Sequence, residues 1–139
     1  MKKSFVLAAL LPLAVAAQNI KQELHAELKA QVEFPATVPA GNYSGITWLG
    51  GNEYAVVCDK ARADGFFIFH INIDPDTGVI SHAYNNEFRS SGYANRDMEG
   101  IAFMPKDTTI FISGEGDNSI KEYELKTGKY TGRELNVPD

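Results

Sequence analysis

Apolar residues in this chain fall in short runs, and the runs are parted by clusters of Gly, Asp, Asn and Pro. Tyr54-Ala55-Val56-Val57-Cys58 is nearly unbroken and predicts a central strand. In Phe66–Ile73, Phe67, Phe69, Ile71 and Ile73 alternate with Ile68, His70 and Asn72, which is the period of a strand. Gly45–Leu49 precedes these and turns through Gly50-Gly51-Asn52, a hairpin signal. Asp74-Pro75-Asp76-Thr77-Gly78 is a second turn, in which Pro fixes φ and Gly permits a positive one. Val79–Tyr84 follows as an outer strand.

The second half repeats the first. Gly100–Met104 is followed by a turn at Pro105-Lys106-Asp107 and by Ile110–Ser113. A loop at Gly116-Asp117-Asn118, a strand at Ser119–Leu125, the turn Lys126-Thr127-Gly128 and a last strand near Arg133–Val137 complete it. Gly45 and Gly100 lie 55 positions apart, while Gly78 and Gly128 lie 50 apart. Polar residues Asn85–Asn95 read as the surface connection between the halves. Four short strands repeated at this period define the blade of a β-propeller. The expected fold is all-β, with two four-stranded antiparallel blades of a truncated propeller at residues 43–139.

Upstream, Leu24, Ala26, Leu28, Ala30, Val32 and Phe34 alternate with His25, Glu27, Lys29, Gln31 and Glu33. Leu24, Leu28 and Val32 also keep a helical spacing of four, in a composition of good helix formers. The full alternation, ended by Pro35 and Pro39, favours a strand. Such a strand, within an N-terminal segment 18–42, would complete a propeller's last blade. Residues 1–17 read as a signal peptide. Lys2 and Lys3 precede the apolar stretch Phe5–Val15, which is too short to span a bilayer, and small residues suited to cleavage follow at 14–17. The chain is therefore expected to be exported, periplasmic or extracellular, with no stable membrane insertion after cleavage.

Composition narrows the partners. The formal charge is −5 and becomes −7 once the leader with its two lysines is removed. That balance disfavours nucleic acid, which needs clustered Lys and Arg, and suits cations. Cys58 is the single cysteine, so no intrachain disulfide can form, and its apolar run marks it as a packed residue. The remaining 122 residues are too few for a closed propeller, so the chain reads as the N-terminal portion of a longer protein. Alone it is expected to be marginal, dimerising or aggregating through uncovered sheet faces, and inactive.

The sharpest candidate chemistry is Arg96-Asp97-Met98-Glu99-Gly100. Two positions apart, Asp97 and Glu99 would project from one face of an extended chain, just before an inner strand. Glu115 and Asp117 follow the next strand, and a hairpin could return them to the same rim. Several hard oxygens at one rim suit Ca²⁺, with Asp97, Glu99 and Glu115 as ligands. The same acids could instead cap backbone amides and hold blades together. Asp59 is the first half's counterpart of Glu115. Among Lys60, Arg62 and Arg96, Arg96 adjoins the acids and is the candidate for holding a substrate phosphate. No nucleophile elbow surrounds Ser113, and His25, His70 and His82 lack zinc spacing.

Asp97-Met98-Glu99-Gly100-Ile101-Ala102-Phe103, then Ile110 to Glu115, then Ile120 to Leu125 and the Thr127-Gly128 turn resemble the phytase-like propeller family, described as having esterase-like activity. The related SdiA-regulated propellers share a similar pattern at Ser44-Gly45-Ile46-Thr47 and Glu99-Gly100-Ile101. The resemblance, over roughly residues 43–138, implies an exported propeller of five or six blades. Its full-length form would be a Ca²⁺-dependent hydrolase of phosphate esters or related esters. A ligand- or partner-binding propeller without turnover is the alternative.

Overall fold

A computed structural model describes residues 26–136. The signal-peptide residues 1–17, the start of the alternating segment and Val137 lie outside them. Eight strands follow in chain order: β1 (Tyr43–Gly50), β2 (Glu53–Cys58), β3 (Gly65–Ile73), β4 (Ile80–Ser90), β5 (Met98–Met104), β6 (Thr109–Gly114), β7 (Ser119–Glu124) and β8 (Tyr130–Asn136). They form two four-stranded antiparallel meanders, β1-β2-β3-β4 and β5-β6-β7-β8. These are two blades standing side by side, with β1 and β2 of the first against β5 of the second.

Period two places alternate residues between the blades. Ala55, Val57, Phe66 and Ile68 of the first blade meet Met98, Ile110, Ile112 and Tyr123 of the second, and all eight are buried. Burying each such side chain contributes about 1.5–3 kcal/mol for the larger ones, so this seam holds the blades together. The repeat extends to detail. Ser44 is bulged between Tyr43 and Gly45, and Glu99 between Met98 and Gly100. The β3–β4 turn closes with Gly78 N–H donating to Asp74 O at 2.8 Å; the β7–β8 turn closes with Gly128 N–H donating to Glu124 O at 2.9 Å. By pairing register Ile68 faces Ala55 and Glu122 faces Phe111, so Ile68 and Glu122 are equivalent. The first blade's longer β3–β4 hairpin therefore accounts for four of the five residues by which 55 and 50 differ.

Three expectations are corrected. Residues 26–34 form no strand, and Leu28 is 98% exposed. Alternation specifies two faces but supplies no partner edge, and a ladder needs one. What does dock on β4 comes later: Asn85 N–H donates to Thr37 O at 3.0 Å, and Thr37 Oγ1 to Ala83 O at 2.5 Å. Second, residues 85–90 continue β4 instead of linking the blades. An outer strand with a wetted face carries loop-like polar residues. Third, β8 begins at Tyr130, earlier than the composition suggested.

Glu122 is an ion pair's anchor on the second sheet. Its carboxylate accepts hydrogen bonds from Arg133, from Thr109 Oγ1 at 2.9 Å and from Thr131 Oγ1 at 2.7 Å. The Arg133 guanidinium, against the opposing pull of burial, lowers its pKa from 4.5 to about 2. A depressed carboxylate contributes stability that is full above pH 4.5 and is lost as pH falls through about 2. Acid titration of the melting temperature should show this loss, and Arg133→Met should shrink the slope across that window. An unchanged slope in the variant would remove Glu122 as its source.

Candidate functional site

The connection from β4 to β5 (residues 91–97) crosses one rim of the two blades, where the predicted acids lie. Asn95 ties this connection down: its Nδ2 donates to Asp59 O at 2.8 Å and to Ala61 O, while its Oδ1 accepts from Asp97 N–H. Asp97 then takes a left-handed backbone, φ 50°, a conformation that Asp tolerates better than most residues. Its carbonyl accepts Glu115 N–H at 2.9 Å, and Arg96 O accepts Gly116 N–H at 2.9 Å. The β6–β7 turn is thereby seated on Arg96-Asp97. Asn42 O receives Asp59 N–H at 3.1 Å in the first blade, so Asp59 and Glu115 are indeed counterparts.

This geometry brings Asp97 and Glu115 to one place through their backbones. The same-face argument for Asp97 and Glu99 does not apply, because φ is positive at the first and the second is the extra residue of a bulge. Asp97 Oδ1 is 3.0 Å from Lys60 Nζ, which also lies 3.6 Å from Asp59 Oδ2. Hydrogen bonding to Asp97 and the nearby Asp59 raise the Lys60 pKa, so the ammonium stays charged at neutral pH. Asp59 Oδ1 is buried with no hydrogen-bond partner. Calcium takes six to eight oxygens. Among the described residues no three acidic, His or Cys side chains come close enough to share an ion. Asp97, Glu99 and Glu115 as they stand do not fit that metal, and a lysine already serves as the cation beside Asp97.

Arg96 is placed far from a substrate role. Its side chain is buried between the blades, where Nε donates to Asp64 Oδ1 at 3.2 Å. Nη1 donates to Asp117 Oδ1 at 2.7 Å and Ser119 Oγ at 3.0 Å; Nη2 donates to Ile112 O at 3.2 Å and Tyr123 OH at 3.1 Å. A guanidinium has five N–H donors, and these contacts use every one. Asp64 is completed by Tyr123 OH at 2.7 Å and Ser91 Oγ at 2.8 Å. Burial first, and then the hydrogen bond to Asp64, raise the Tyr123 pKa, so the phenol remains a donor. For Asp117, burial works to raise the pKa but Lys121, Ser119 and Arg96 outweigh it and lower it. Sequence reasoning missed Asp64, which reads as a turn residue before Gly65, and Tyr123, which reads as ordinary strand.

Beside this network lies a cleft of about 510 Å³ lined by Tyr93, Arg96, Asp97, Asp117, Lys121 and Tyr130 among others. Lys121 is paired with Asp117 at 2.7 Å. Lys60 is thus the more open cation of this rim, with 63% of its side chain exposed.

Two adjacent meanders with a shared apolar seam and a charged rim define a pair of β-propeller blades. Residues 38–139 match the phytase-like family model, described as esterase-like activity of phytase, and the chain belongs to that family. A stretch of 81 residues is also 28% identical to eukaryotic translation initiation factor 3 subunit I of Neurospora crassa. That match covers 58% of this chain and 23% of the relative, so the chain spans about a quarter of that protein's length.

Proposed function

We propose that this chain supplies two blades, and one charged corner of the site, to an exported propeller that hydrolyses phosphate esters or related esters. Membership of a family described by esterase-like activity supports the reaction class. The observation that carries the site is the Lys60–Asp97 pair at the rim, next to the Glu115 turn. Lys60 would receive an anionic ester, and Asp97 would hold the ammonium in place. Export rests on the leader pattern of residues 1–17. Any Ca²⁺ requirement would draw on oxygens other than this trio, since Asp97, Glu99 and Glu115 do not form a group of three around one point.

The test is turnover of phosphomonoesters and carboxylic esters by the longest product of the gene, with and without EDTA. Lys60→Met should raise KM for a phosphomonoester by roughly tenfold, the loss of one charge-assisted contact worth about 1.4 kcal/mol, with kcat kept. No turnover above an Asp97→Ala/Glu99→Ala variant would end the hydrolase reading. The second reading, a binding propeller without turnover, is favoured by the full engagement of Arg96. It predicts that no ester is cleaved by the longest product of the gene, with or without EDTA.

A further inference from the structure

The seam between the blades does not close along its whole length. Toward β7 and β8 it opens into the cleft of about 510 Å³, a size that suits a small molecule. Tyr93 and Asp97 of the β4–β5 connection form one side, and Asp117, Lys121 and Tyr130 of the second blade form the other. Pairing register sets Lys121 against Ile112 and Tyr123 against Ile110, and both isoleucines are buried in the seam. Residues directly opposite in a ladder share a face, so Lys121 and Tyr123 are turned toward the first blade. The cleft is therefore bounded on both sides by this chain and is not one of the outer sheet faces.

The repeat shows that a seam does not require this lining. Register makes Lys121 equivalent to Phe67, Tyr123 to Phe69 and Glu134 to Phe88. In the first blade these phenylalanines pack on one another, the Phe67 ring lying 4.6 Å from that of Phe88 and 6.3 Å from that of Phe69. The second blade puts an ammonium, a phenol and a carboxylate in their place. Lys121 Nζ is 2.7 Å from Asp117 Oδ2 and 3.9 Å from Glu134 Oε2, which accepts Tyr130 OH at 3.0 Å. Beside them Tyr93, 62% exposed, stands with its ring 6.3 Å from Tyr130 and 84° to it, giving the cleft an aromatic corner.

The charges of the lining are already matched. Arg96 and Lys121 answer Asp64 and Asp117, and Lys60 answers Asp97. A free ion would find no unpaired charge there. Hydrogen-bonding capacity is left over: the Asp117 carboxylate, with about four lone-pair sites, accepts from Arg96, Ser119 and Lys121, and the ammonium carries three donors. A hydroxyl can donate to the one and accept from the other. A six-membered ring with apolar C–H faces and equatorial hydroxyls at its edge matches an aromatic surface flanked by such groups. We propose that this cleft binds a neutral β-glucopyranosyl unit, one C–H face laid on Tyr93 and its hydroxyls directed at Asp117 and Lys121. The proposal goes beyond the hydrolase reading and rests neither on Lys60 nor on turnover.

Calorimetric titration of the longest product of the gene with methyl β-D-glucopyranoside and with cellobiose should show saturable binding that salt leaves unchanged, because no ion pair is made. Tyr93→Ala should weaken it by roughly tenfold or more, whereas Tyr93→Phe, which keeps the ring, should stay within about threefold. The melting temperature of both variants should match the parent, since the side chain is largely exposed. In saturation-transfer NMR, irradiating the aromatic resonances should mark the pyranose C–H hydrogens most strongly. Absence of binding by both glucosides would overturn the proposal, as would binding that survives Tyr93→Ala. Tighter binding of glucose 6-phosphate, lost steeply with salt, would also overturn it by showing that the cleft takes an anion.

Discussion

Replacing Arg96 with Met is expected to loosen the junction between the two blades rather than to impair substrate binding. The guanidinium holds Asp64 from the first blade, Asp117 and Ser119 from the β6–β7 turn, and Tyr123 and Ile112 O from the second sheet. Its loss leaves Asp64 charged and 1% exposed with only two hydroxyls to satisfy it. Stranding one member of a buried ion pair typically costs about 3–5 kcal/mol. For a domain of this size that lowers the melting temperature by roughly 15 °C or more, at about 4–8 °C per kcal/mol. Arg96→Lys should recover only part, because three donors on a flexible stem cannot reproduce a five-donor fork. Adding Asp64→Asn to Arg96→Met should cost less than the sum of the single changes, since the two side chains share one network. Urea and thermal unfolding of these four variants decide the matter. A stability change within about 0.5 kcal/mol, accompanied by a raised KM, would return Arg96 to the role of a phosphate ligand.

The blades were legible because their signals are local. Glycine before the inner strand, a continuous apolar second strand and a Thr-Gly turn each act within a few residues, and both copies carry them. The described part of the alternating segment, residues 26–34, shows the limit of that logic. Its alternation is regular, yet a strand exists only where a partner edge is offered, and periodicity does not encode the partner. The rim was half legible for a similar reason. Asp97 and Glu115 do meet, through the hydrogen bond from Glu115 N–H to Asp97 O. The spacing of Asp97 and Glu99, however, was read on an extended backbone, and a left-handed residue followed by a bulge removes that premise. Arg96 carries the plainest lesson. A cation flanked by acids in sequence suggests a site open to ligand, whereas the residues that absorb it are Asp64, Asp117, Ser119 and Tyr123, brought in by tertiary structure. Lys60, 37 positions before Asp97, is the rim cation instead.

Gly65→Ala should be among the most destabilising single-methyl additions to this chain, although the sequence marks the residue only as part of an Asp-Gly turn. Gly65 opens β3 opposite Ser90, the last residue of β4. A Cβ at Gly65 would stand 2.2 Å from Arg89 O and 3.0 Å from Ser90 Cα, both backbone atoms that cannot step aside. Its φ of 148° lies where side chains are rarely found. Backbone strain of about 1–3 kcal/mol therefore adds to an overpacking cost of about 1–3 kcal/mol. The displacement would also reach the network, because Asp64 is the preceding residue and Gly65 N–H points at Met98 Sδ, 3.4 Å away in the buried seam. Gly50→Ala separates the two terms. Gly50 has a φ of 126° but nothing within 4 Å of its would-be Cβ, so it should cost only the strain. Equilibrium unfolding of both variants should place Gly65→Ala roughly 2 kcal/mol or more below Gly50→Ala, the difference being the clash with Arg89 O. Equal losses in the two would mean that β4 yields at Ser90, and that the close approach of β3 and β4 does not help to set the position of Asp64.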